Sequence, residues 1–71
     1  MNVSNSFISG IKRSFPKADP NIVREIGSLI SEDDANLIRK KLNDDERREY
    51  EVRYFFNKEE NTSYLHIRRL K

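Results

Sequence analysis

Apolar residues Phe7, Ile8, Ile11 and Phe15 recur at the spacing of one helical face. Ser4 or Asn5 can cap the start. Pro16 disfavours helical geometry at Phe15 and so ends the element. The spacing predicts a helix over about 4–15, with Lys12, Arg13 and Lys17 at the end where the dipole favours cations. Gly10 lies inside it, at a cost of about 1 kcal/mol relative to Ala. A second helix is predicted over about 20–30. Asp19 can serve as N-cap and Pro20 as first helical residue, and Ile22, Val23, Ile26, Leu29 and Ile30 make a continuous stripe. A third is predicted over about 32–42. Ser31-Glu32-Asp33-Asp34 reads as a capping box with Asp34 in place of the usual Glu or Gln. Ala35, Ile38 and Leu42 mark its buried side, Leu37 flanks it, and Asn43 closes it. The stretch from Asn43 to Glu46 fits either a turn or the cap of one more helical turn reaching about Glu49.

The period then changes from helical to alternating. Tyr50, Val52, Tyr54 and Phe56 alternate with Glu51, Arg53, Phe55 and Asn57, and Leu65 and Ile67 alternate with Tyr64, His66 and Arg68. Two such runs around a short polar loop predict an antiparallel hairpin with strands at about 50–57 and 62–70. Residues directly opposite each other share a sheet face. For Val52, Tyr54 and Phe56 to share one with Leu65 and Ile67, the loop must hold an even number of residues. A four-residue loop from Lys58 to Asn61 pairs Asn57 with Thr62, Tyr54 with Leu65 and Val52 with Ile67. Asn61 tolerates the left-handed conformation that such a loop uses. Phe55 then faces Tyr64, Arg53 faces His66 and Glu51 faces Arg68 on the opposite side. A lone hairpin is unstable and must lay one face on the helices. The expected fold is a single small α+β domain, three short N-terminal helices packed on a C-terminal antiparallel β-hairpin.

Composition sharpens this picture. With 71 residues, 35% of them hydrophobic, the chain can bury only a thin core, and a deep enzymatic pocket is not expected. Cysteine is absent, which removes disulfides, thiolate metal sites and thiol nucleophiles and favours a cytoplasmic setting. No apolar run is long enough to span a bilayer, and the first residues lack a signal-peptide pattern. The net charge is only +2, but residues 31–51 hold eight acids and five bases, while residues 52–71 hold five bases and two acids.

These features order the functional expectations. A helix-turn-helix reader would open its recognition helix with Glu32, Asp33 and Asp34, which phosphates repel. His66 is the only histidine and has no second positioned group for acid–base work. The acid pairs Asp33/Asp34 and Asp44/Asp45 are explained by capping. No enzyme activity, metal or cofactor is therefore expected. The expected role is that of a small regulatory protein, an inhibitor or adaptor of phage or plasmid type, working by contact with another protein. The contact residues would be Arg53, Phe55, Tyr64, His66 and Arg68, because interfaces are enriched in aromatics and arginine. Self-association through the free edge of the hairpin is a further expectation. The alternative is a nucleic-acid regulator using the same basic, aromatic hairpin, with Lys58, Arg69 and Lys71 as additional contacts.

Overall fold

The computed structural model describes residues 3–27, 29–43 and 49–71. The chain runs α1 (Asn5–Arg13), β1 (Asp19–Gly27), α2 (Glu32–Leu42), β2 (Tyr50–Asn57) and β3 (Thr62–Arg69). The three strands form one antiparallel sheet in the order β1-β3-β2. The fold is α+β, but it is not three helices on a hairpin. The segment expected to be the second helix, 20–30, instead supplies a third strand.

The local chemistry of that segment explains both the expectation and its failure. Asp19 does accept a hydrogen bond from the Asn21 N–H (2.9 Å), as an N-cap would. The chain then continues extended. Ile22, Val23, Ile26 and Ile30 are β-branched, a composition that suits a pleated sheet, and Gly27 would weaken a helix. The decisive term is non-local: a two-stranded hairpin leaves one side of β3 without hydrogen-bond partners, and β1 fills it. The apolar stripe is largely not core. Ile22 is 43%, Val23 40% and Leu29 71% exposed, and of the five residues only Ile30 is fully buried. The pairing is regular from Arg24 to Gly27, whereas Asp19 already faces Arg69, so residues 20–23 bulge from the ladder.

Both other helices form where their caps indicate. Ser4 Oγ accepts from the Phe7 N–H (3.1 Å) and Ser31 Oγ from the Asp34 N–H (3.0 Å). Asn43 ends α2 through its side chain, which donates to the Arg39 carbonyl and accepts from the Tyr50 N–H. The question of one more turn after Asn43 falls on residues 44–48, outside the described residues. The two helices cover one face of the sheet. Ile8, Ile11 and Phe15 from the α1 segment and Ala35, Ile38 and Leu42 from α2 enclose Val52, Leu65 and Ile67. Tyr50 joins them edge-on to Phe15, with ring centroids 5.9 Å apart. Burial pushes the Tyr50 phenol above its ordinary pKa, opposed by Arg69 and reinforced by Glu49. Phe56 has core parity but is 55% exposed, so the expected inner row stops short of it. Among the described residues, no helix is long and apolar enough to cross a membrane.

The start of α2 is anchored from the sheet. Tyr54 Oη (3.1 Å) and the buried Ser63 Oγ (2.6 Å) both donate to the Ile30 carbonyl. At the other end, Arg69 donates to the Phe15 carbonyl (2.7 Å) and Lys41 to the Val3 carbonyl (3.1 Å).

Gly10 is the position where this packing leaves unused stability. A Cβ built there meets nothing within 4 Å. Gly10→Ala is therefore expected to stabilise the chain by about 0.8–1 kcal/mol, the helix-propensity difference, in a urea titration.

Candidate functional site

The register of β2 and β3 is the one that the four-residue loop gives. Glu51 faces Arg68, Arg53 faces His66, Phe55 faces Tyr64, and Asn57 faces Thr62. Asn61 takes a left-handed φ of 52°, and the Asn57 carboxamide accepts from the N–H groups of Glu59 and Glu60, closing the four-residue loop. Leu65 and Ile67 point inward and are fully buried. Tyr64, His66 and Arg68 therefore point outward, from the central strand, on the face that carries no helix among the described residues.

The structure brings Phe55, Tyr64 and His66 together there. Phe55 and Tyr64 stack with centroids 5.1 Å apart and planes 16° apart. His66 lies 4.9 Å from Phe55 and 5.2 Å from Tyr64, tilted to both. All three are partly exposed. The cluster borders an open depression of ≈ 400 Å³ at the hairpin-turn end, which Phe56, Asn57, Lys58 and Glu59 also line.

Charges ring the cluster in compensated pairs. Glu51 Oε1 lies 3.1 Å from Arg53 Nε and 3.3 Å from Arg68 Nε. Arg68 also donates to the Pro20 carbonyl (3.1 Å). His66 Nε2 lies 3.2 Å from Glu25 Oε1. The two guanidiniums thus share the one Glu51 carboxylate, and Glu25 stands against His66.

The five expected contact residues, Arg53, Phe55, Tyr64, His66 and Arg68, share this surface. The three additional cations do not join it as a group. Lys58 sits on the loop and Lys71 at the exposed C-terminus. Arg69 has core parity, and its guanidinium is committed to the Phe15 and Lys71 carbonyls. Glu25 and Gly27 belong to the same face through their pairing with His66 and Tyr64. Sequence reasoning missed both because it made 20–30 a helix. Among the described residues, no group of three or more His, Cys, Asp or Glu is placed to hold a metal ion. Comparison with protein-family models, curated proteins and solved structures finds no match for this chain.

The two sheet faces should differ sharply on truncation. Ile67→Ala is expected to cost about 2–5 kcal/mol, as for other buried Ile sites. Phe55→Ala should cost less, about 0.5–1.5 kcal/mol for the lost ring pair plus its partial burial, and should leave the chain folded. Chemical denaturation of the two variants checks this ordering.

Proposed function

We propose that this chain is a non-enzymatic binding protein that contacts another protein through the helix-free face of its sheet. One observation carries the reading: Phe55, Tyr64 and His66 form a ring cluster on the helix-free face, surrounded by charges that are already paired. An apolar aromatic centre with a polar, near-neutral rim is the anatomy of a protein interface. The rings supply rigid anchors, and the depression beside them can take an anchor in return. A polyanion would gain less here, because Glu51 competes for both arginines and phosphate neutralisation supplies most nucleic-acid affinity.

The test is quantitative capture on immobilised wild type and Phe55→Ala/Tyr64→Ala chains, with titration of a mixed-sequence single-stranded oligonucleotide alongside. The expected result is a protein bound by wild type and weakened roughly tenfold or more in the double variant. Equal recovery on both chains would remove the ring cluster from the interface. Tight, steeply salt-dependent oligonucleotide binding would replace the proposal with the nucleic-acid reading.

A further inference from the structure

A different surface carries a second inference, independent of the ring cluster. The two outer strands are not equally available for pairing. On β2, Arg39 donates to the Val52 carbonyl (2.8 and 3.3 Å) and Asn43 accepts from the Tyr50 N–H. Half of that edge is therefore occupied by α2. These contacts also set the direction of the ladder. Val52 points its main-chain groups away from β3, so by alternation Leu65 and Ile67 turn theirs toward β1. Arg24 and Ile26 receive them, and Glu25 and Gly27 present N–H and C=O groups outward.

Beside that open edge runs a groove of ≈ 400 Å³ between β1 and α1, lined by Ser6, Phe7, Gly10, Ile11, Arg24 and Ile26 among others. A strand added to β1 would drop alternate side chains into it. Gly10 keeps the groove open, and packing within the chain gives no reason for it. The charged residues of the lining are Arg24 and Glu25, and the Glu25 carboxylate is turned to His66 on the opposite face. Lys12, Arg13 and Lys17 do not line the groove, although the segment that carries them, residues 3–18, holds no acid. Arg24 lies at the Ser14 end of the groove, where it donates to the Ser14 carbonyl (3.3 Å).

We propose that this edge and groove bind an extended segment of another protein by strand addition. The segment carries alternating apolar side chains and one acidic end, the end that meets Ser14 and Arg24. A second copy of the chain suits the site less well, because it would set two basic α1 helices side by side.

A random-peptide phage library panned on the full chain tests this. Enriched sequences should alternate apolar residues and carry Asp or Glu at one terminus. A synthetic enriched peptide should shift the amide resonances of Arg24–Gly27 and of the α1 residues facing the groove. Gly10→Met, which fills the groove with a good helix former, should weaken that peptide by about tenfold or more without lowering the melting temperature. Failure to enrich such a pattern, shifts confined to another surface, or unchanged affinity in Gly10→Met would overturn the proposal. So would a concentration-dependent dimer in sedimentation that Gly10→Met abolishes, since a second copy would then occupy the edge.

Discussion

The pairing of β3 on both of its sides is the constraint from which the rest of the molecule follows. A central strand has no free main-chain edge, and its pleat sends alternate side chains to opposite faces. Leu65 and Ile67 go to the helices and are fully buried, while Tyr64, His66 and Arg68 go to the other face. Among the described residues the two helices lie on one side, and the second face carries none. In a chain this small, a ring cluster on that face is surface that the fold does not use for its own core.

The same arrangement distributes protection along the edges. The first half of the β2 edge, at Tyr50 and Val52, is capped by side chains of the α2 segment, and the first half of β1 is bent out of register and carries Pro20. Both are devices that discourage indiscriminate strand pairing. What is left is the 54–57 end of β2 and the short regular run of β1 from Arg24 to Gly27. The expectation of self-association through the hairpin edge changes accordingly: β3 is interior to the sheet, and β2 is partly sealed.

The pairing within the hairpin was legible because parity is a local rule, although its second strand ends at Arg69 and not at 70. Once Val52, Leu65 and Ile67 had to share a face, the loop had to be even, and choosing four residues over two then gave every cross-strand pair. Arg69 could have been assigned by the same rule, since its odd number puts it with Ile67; grouping it with the outward cations ignored its parity. The stretch 20–30 was not legible from spacing alone. Ile22, Val23, Ile26, Leu29 and Ile30 satisfy a helical template, and Asp19 even makes the capping bond. What overrides them is the open side of β3, about 40 residues away in sequence. The β-branched bias and Gly27 were the signals available. Missing them also hid Glu25, the partner of His66, and with it part of the charge balance on the outer face. Phe56 fails for another reason, since parity assigns a face but not how far the helices extend over it.

Amide hydrogen exchange along β3 tests the doubly paired strand most directly. The Tyr64 and His66 amides bond to β2, whereas those of Leu65 and Ile67 bond to β1. All four should exchange slowly and with similar protection. Slow exchange at 64 and 66 with fast exchange at 65 and 67 would mean that β1 is not in the sheet, and the fold described here would be wrong.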